Sequence, residues 1–164
     1  MLQPHTLSLP CLPLQSNFNP IQTLNTGRNH NSVLAVSVRI KICGITSLVD
    51  ATAAIEAGAD ALGFMLYEQS SRFITAQNAK AIIRELPDYV TKVGVFVDTD
   101  FDTVNHTAET VGLDTLQFHG SETPDFCSKF QQNTIKAFRV KDSESLCQMH
   151  QYNTNAWLLD SYVK

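Results

Sequence analysis

The sequence predicts an α/β domain built on an all-parallel sheet. Six short apolar runs alternate with helical stretches in a fixed order. Their starts, near residues 38, 60, 91, 113, 134 and 156, recur every 21–22 residues apart from one longer interval. Strands alternating with helices at this spacing imply βαβ units, right-handed crossovers and parallel pairing.

Each element has its own signal. Val38–Cys43 is a β-branched run, and Ser47 with Asp50 three residues on opens a helix in a capping-box-like way. That helix turns Leu48, Ala51 and Ile55 to one face and stops at Gly58. Asp60–Tyr67 is the second strand, and the extended Glu68–Ile74 connection accounts for the one long interval. Thr75 caps a helix presenting Ala79, Ile82, Ile83 and Leu86, ended by Pro87. Thr91–Asp98 is a Val-rich strand, and Val104, Ala108 and Val111 mark the following helix, with Asp98, Thr99 and Asp100 reading as turn and N-cap chemistry. Leu113–His119 is the fourth strand, and Thr123-Pro124 pairs an N-cap with proline at the first helical position, placing Phe126, Cys127 and Phe130 inward. Thr134–Val140, a short helix over Ser143–His150, and Ala156–Asp160 complete the series.

Composition bounds the function. At 164 residues, with 43% apolar and 17% charged side chains, the chain is long enough for one ordinary globular domain and is neither a disordered nor a collagen-like sequence. The net charge of −4 and the lack of a basic block give nucleic acid and anionic membranes no electrostatic footprint. No apolar run approaches the roughly 18 residues of a membrane span. Cys11, Cys43, Cys127 and Cys147 form no C-x-x-C pair, so zinc and redox motifs are not indicated, and free thiols in a reducing, cytoplasmic setting are expected.

Residues 1–37 differ from the rest. They contain one charge, Arg28, no acid, and four of the six prolines, with no persistent hydrophobic period. A disordered extension, or upstream sequence preceding a true start near Val36 or Val38, is expected there. A plastid transit-like leader fits less well, since such leaders are usually Arg-rich. Residues 38–164 are expected to form the domain proper.

Residues two apart share a face of a strand. Val93, Val95 and Val97 then line one side of the third strand, suited to packing on helices, with Gly94, Phe96 and Asp98 on the other. Lys41 with Cys43, Gln117 with His119, and Leu158 with Asp160 put reactive groups at strand tips. Two architectures fit the periodicity, a doubly wound open sheet and a (β/α)8 barrel. Polar groups ending several strands favour the barrel, whose C-terminal rim carries active sites. Each group also has a plain structural reading. Cys43 could be a buried structural thiol, although the Lys41 cation on its face favours thiolate. Asp160 could cap a loop or act as an acid in an apolar setting. His119 could be a hydrogen-bonded scaffold group. Arg72 could be merely solvated, or its planar fork could hold a substrate carboxylate.

Seven segments carry a resemblance to a known family. Val38-Arg39-Ile40-Lys41-Ile42-Cys43-Gly44-Ile45-Thr46 resembles the opening strand of phosphoribosylanthranilate isomerases. So, in the family's order and spacing, do Gly58-Ala59-Asp60-Ala61-Leu62-Gly63-Phe64, Ser70-Ser71-Arg72-Phe73, Lys92-Val93-Gly94-Val95-Phe96-Val97, Leu116-Gln117-Phe118-His119-Gly120, Ile135-Lys136-Ala137-Phe138-Arg139-Val140 and Leu158-Leu159-Asp160-Ser161-Tyr162-Val163. The resemblance implies a (β/α)8 TIM barrel and an Amadori rearrangement of N-(5-phosphoribosyl)anthranilate in tryptophan biosynthesis, with a small phosphosugar substrate and no cofactor or metal. It implies Cys43 as general base, Asp160 as general acid, Arg72 on the anthranilate carboxylate, and Gln117 and His119 lining the pocket. The family continues past its D-x-Y-V segment into a glycine-rich loop and strands seven and eight, whereas this sequence stops at Lys164. The expectation is therefore a barrel truncated after strand six, lacking a phosphate site and nearly inactive alone, with a non-catalytic remnant as the alternative reading. A related barrel isomerase of histidine biosynthesis is expected to use two aspartates, and Cys43 speaks against it.

Overall fold

The structure is a computed structural model that describes residues 38–161. The expectations for residues 1–37, and for Tyr162 and Val163, lie outside the described residues.

Six strands form one sheet: β1 (Lys41–Cys43), β2 (Ala61–Met65), β3 (Thr91–Phe96), β4 (Thr115–Phe118), β5 (Asn133–Val140) and β6 (Ala156–Ser161). They lie in the order β1-β2-β3-β4-β5-β6, and every neighbouring pair is parallel. A doubly wound sheet reverses its strand order at a switch point, whereas a barrel adds each strand beside the last. The sequential order therefore decides between the two architectures: the sheet is six strands of a (β/α)8 barrel.

The helices begin where the sequence says they should. Ser47 accepts from Asp50 N (3.1 Å) ahead of α1 (Leu48–Glu56), and Thr75 accepts from Asn78 N (3.2 Å) ahead of α2 (Ala76–Ile83). Asp100 accepts from Thr103 N (3.0 Å) before α3 (Phe101–Val111), and Thr123 from Phe126 N (3.2 Å) before the single-turn α4 (Pro124–Cys127). Each cap satisfies a backbone N–H that the first helical turn would otherwise leave unpaired. Gly112 closes α3 in the left-handed conformation, with φ of +81°. The helix expected over Ser143–His150 is instead two 3₁₀ turns, Glu144–Leu146 and Met149–Gln151. Asp142 Oδ1 accepts from both Ser145 N and Ser145 Oγ, a cap of the same kind, but only Met149 of these turns is buried, so little packing favours a longer helix.

The core lies between sheet and helices. Leu62 and Phe64 of β2, Phe96 of β3, and Leu116 and Phe118 of β4 form its sheet side, all at most 2% exposed. Ala51, Ala79, Ile82, Val104, Ala108 and Cys127 meet them from the helices, and Phe118 contacts the rings of Phe126 and Phe130 at 5.4 and 5.2 Å. This corrects one expectation. The register pairs Phe64 with Gly94 and Phe96 with Phe118, so Gly94 and Phe96 face the helices, while Val93 and Val95 face the barrel interior. β3 is buried on both faces, and a strand apolar on both sides does not reveal in its pattern which side is which.

The two outer strands behave differently. Ile40, just before β1, and Ile42 within it are 48% and 42% exposed, Leu48 and Val49 of α1 are 43% and 78% exposed, and Leu159 of β6 is 58% exposed. Leu48 was expected on the inward face with Ala51 and Ile55. Ala51 is fully buried and Ile55 partly so, but α1 stands at the end of the sheet, and its far side has no covering element among the described residues.

Candidate active site

The register sets which side chains look into the barrel. Cys43 is paired with Gly63, Val95 with Gln117, and Arg139 with Asp160. Cys43, Gln117 and Asp160 thus share the interior face, and because all six strands are parallel, their C-terminal ends form one rim. Cys43 ends β1, His119 follows β4 directly, and Asp160 lies one residue from the end of β6.

On the β1 side, Cys43 and Arg72 come together. Arg72 Nη1 donates to the Cys43 carbonyl at 3.0 Å, and the guanidinium lies across Gly44. A Cβ at Gly44 would stand 2.5 Å from Arg72 Cδ and 2.9 Å from Nη1, and its φ of +91° is itself a conformation that L side chains rarely adopt. The long connection between β2 and α2 that carries Arg72 is held by Phe73, bridged to Met65, and by Ile74 N donating to Met65 O at 2.9 Å. Gly63 leaves the space occupied by the Cys43 sulfur, since a Cβ there would lie 2.7 Å from Sγ. Cys43 is a free, half-buried thiol and Cys127 a free, buried one. Burial pushes the Cys127 thiol up to about 11.

On the β4 side, a chain of side chains runs along the rim. Gln117 Nε2 lies 3.3 Å from His119 Nδ1, and His119 Nε2 lies 3.2 Å from Asp160 Oδ2. Gln117 is 2% exposed, one layer below the mouth, so it reaches the opening only through His119, whose own side chain is 22% exposed. The Asp160 side chain is 44% exposed. No hydrogen bond joins this group to Cys43 and Arg72; the two groups meet by facing one interior from β1 and β6.

Next to His119 lies a polar network that sequence reading did not single out. Glu122 and Lys136 are an ion pair at 2.9 Å, with side chains 3% and 4% exposed. Glu122 Oε1 accepts from Asp98 N and Oε2 from Gly120 N, both at 2.9 Å, while Lys136 Nζ donates to Gly120 O at 2.6 Å. Asp98 holds a left-handed φ of 49°, and its Oδ1 accepts from Ser121 N at 2.6 Å. A side chain at Gly120 would strike that carboxylate. The network thus clamps the segments after β3 and β4 to β5 and fixes the backbone next to His119. Its available signal was Lys136, a charge inside an apolar strand. Above it opens a cleft of about 540 Å³ bounded by Tyr67, Asp98, His119, Lys136 and Arg139 among others.

Comparison with known proteins places this geometry. Residues 40–163 match the family model for N-(5′-phosphoribosyl)anthranilate isomerase. The enzymes of that name from Geobacter sp. strain M21 and Nitrosomonas europaea are 52% and 50% identical over 124 and 128 residues, which is 76% and 77% of this chain and 61% of each relative. The crystal structure of the Thermotoga maritima phosphoribosylanthranilate isomerase superposes with a TM-score of 0.75 at 38% identity, covering 78% of this chain and 63% of that one. A second such structure, in complex with reduced 1-(o-carboxyphenylamino)-1-deoxyribulose 5-phosphate, gives 0.74 at 39% identity over 77% and 66%. The chain therefore spans about six tenths of the length of the curated relatives it matches. With the sequential parallel sheet and the match across nearly every described residue, this chain belongs to the N-(5′-phosphoribosyl)anthranilate isomerase family.

Proposed function

We propose that residues 38–164 carry the acid, the base and the carboxylate anchor of an N-(5′-phosphoribosyl)anthranilate isomerase, an enzyme of tryptophan biosynthesis. The observation that supports this most is the register, which turns Cys43 and Asp160 into the same interior from opposite edges of the sheet.

The reaction needs two proton transfers. Asp160 gives its proton to the furanose ring oxygen, the C1–O bond breaks, and the anilino nitrogen lone pair forms the C=N bond of an iminium. The Cys43 thiolate then takes the C2 proton, and the C2–H electron pair forms the C1=C2 bond of an enolamine as the C=N pair returns to nitrogen. Tautomerisation of the enol gives the ketose. The iminium is the electron sink, so the two side chains suffice for these steps. Arg72 sits against Cys43, where its remaining N–H donors would orient the anthranilate carboxylate and bring C2 toward the thiol. His119 Nε2 lies 3.2 Å from the Asp160 carboxyl oxygen, within hydrogen-bond reach of the carboxylate left after the first transfer. Barrels frequently hold phosphate on loops after strands seven and eight, beyond the six strands described.

The test is an isomerase assay on the chain extended with the segment that follows the matching region in the Thermotoga maritima relative. Turnover is expected, with Cys43→Ser and Asp160→Asn each reducing kcat by roughly 10²–10⁴-fold. Full activity in either variant removes that residue's role. Selective turnover of a histidine-pathway aminoaldose in place of the anthranilate substrate would favour the other barrel isomerase.

A further inference from the structure

We propose that Gln117 is a positioning residue that fixes His119 in the tautomer protonated at Nε2, so that the ring N–H is aimed at Asp160. The geometry determines this from both ends of the imidazole. An amide nitrogen is a donor with no lone pair to offer, so Gln117 Nε2, 3.3 Å from His119 Nδ1, requires Nδ1 to be an acceptor. A neutral imidazole that accepts at Nδ1 carries its proton on Nε2, and Nε2 lies 3.2 Å from the Asp160 carboxyl oxygen. One tautomer satisfies both contacts.

The orientation of the amide follows from the network around it. In the observed orientation Gln117 Oε1 is buried without a hydrogen-bond partner. Turning the amide over would bring Oε1 to Nδ1 and leave an NH2 group, with two donors, buried where Oε1 now lies. An under-satisfied carbonyl is tolerated more often than an orphaned N–H. The orphan oxygen is itself informative: a buried unpaired polar atom calls for an explanation, and leucine at this 2% exposed position would fill the space without one. Retaining the amide makes sense if its N–H has a task, and the one acceptor it meets is His119.

The tautomer assignment stands on this geometry alone, whereas its catalytic consequence rests on Asp160 being the acid. A fixed Nε2–H holds Asp160 Oδ2, leaves Oδ1 to face the sugar, and stabilises the carboxylate once its proton has gone. Gln117 touches no substrate atom in this account.

The experiment is ¹⁵N NMR of the 164-residue chain labelled at histidine, since the shifts of the two ring nitrogens report which carries the proton. His119 is expected as the Nε2–H form with a hydrogen-bonded, unprotonated Nδ1. Gln117→Leu removes the donor and should mix the tautomers, whereas Gln117→Glu opposes Nδ1 with an acceptor and should draw a proton onto it. An unchanged far-UV circular dichroism spectrum reports that the variant is folded. The proposal is overturned if wild-type His119 is protonated at Nδ1, a result that needs no variant, or if folded Gln117→Leu and Gln117→Glu both leave the tautomer unchanged. In the extended chain, Gln117→Leu should lower kcat at least tenfold with KM nearly constant. A tautomer that shifts without any change in kcat would sink the catalytic consequence and leave the tautomer assignment intact, whereas loss of the acid role shows separately as full activity in Asp160→Asn.

Discussion

Removing Glu122 should cost far more than removing an ordinary surface carboxylate, and the structure says why. Its two oxygens take three hydrogen bonds, from Asp98 N, Gly120 N and Lys136 Nζ, each at 2.9 Å. Both side chains of the ion pair are at most 4% exposed, so water cannot replace the lost partner. Breaking a buried pair from one side typically costs about 3–5 kcal/mol, and each orphaned backbone N–H adds roughly 1–3 kcal/mol. A domain of this size has only about 5–15 kcal/mol in total. Glu122→Ala should therefore remove at least roughly 3 kcal/mol and leave little of the fold stable. Lys136→Met should cost less, because the carboxylate keeps two N–H donors. In Glu122→Leu/Lys136→Met, losses should fall well short of additive, since no charge is left buried, with the Asp98 and Gly120 N–H groups accounting for the remainder. The assay is urea unfolding followed by circular dichroism, reading the midpoint at unchanged slope. A Glu122→Ala loss below about 1 kcal/mol, the worth of an exposed pair, would refute the clamp.

Other consequences are equally open to measurement. Gly63→Ala places a carbon 2.7 Å from Cys43 Sγ, so the sulfur must move by about 1 Å; kcat of the extended chain should fall about 10²-fold while urea stability changes by only about 1–3 kcal/mol, and retained kcat would show that the sulfur position is not critical. Alkylation of the native chain near pH 8 should modify Cys43 well before Cys127, which is 2% exposed with a thiol pushed up to about 11; equal rates in peptide mass mapping would contradict the packing. The Thr103 backbone and side-chain hydrogen bonds hold the Asp100 carboxyl below its ordinary value, and the Ser145 side-chain and backbone bonds do the same for Asp142. A lowered folded value means stabilisation that is present above the unfolded value and lost as pH falls through the folded one. Asp100→Asn should thus flatten the decline in urea midpoint below about pH 4, and an unchanged acid limb would contradict the cap. The 164-residue chain by itself should show little isomerase turnover, because the Asp160 side chain is 44% exposed and water competes with the sugar ring oxygen for contact with it; near-normal turnover would overturn this.

Much of the fold was legible in local chemistry. The caps Ser47, Thr75, Asp100 and Thr123 each make the bond their spacing promised, because an N-cap is decided by residues three apart. What failed to show was decided by partners distant in sequence. Val93 and Val95 face the interior, and only the register with β2 and β4 settles that. Leu48 is apolar at a helical spacing, yet its exposure depends on whether another element lies beyond α1. Site residues divide the same way. Strand-tip position marked Cys43, His119 and Asp160, whereas Glu122 becomes part of the site only when β5 brings Lys136 beneath it, and Gly63 only when β1 sets a sulfur against it. The burial of Gln117, reached from the mouth through His119, likewise depends on strands on both sides.

The most direct test is a crystal structure of the extended chain with reduced 1-(o-carboxyphenylamino)-1-deoxyribulose 5-phosphate, the molecule bound by one structural relative. The account predicts its carboxylate on the Arg72 fork, its C2 against Cys43 Sγ, and its C4 hydroxyl within hydrogen-bond reach of Asp160. An analogue seated away from Cys43, or an Asp160 carboxyl directed outward to solvent with the ligand in place, would contradict it.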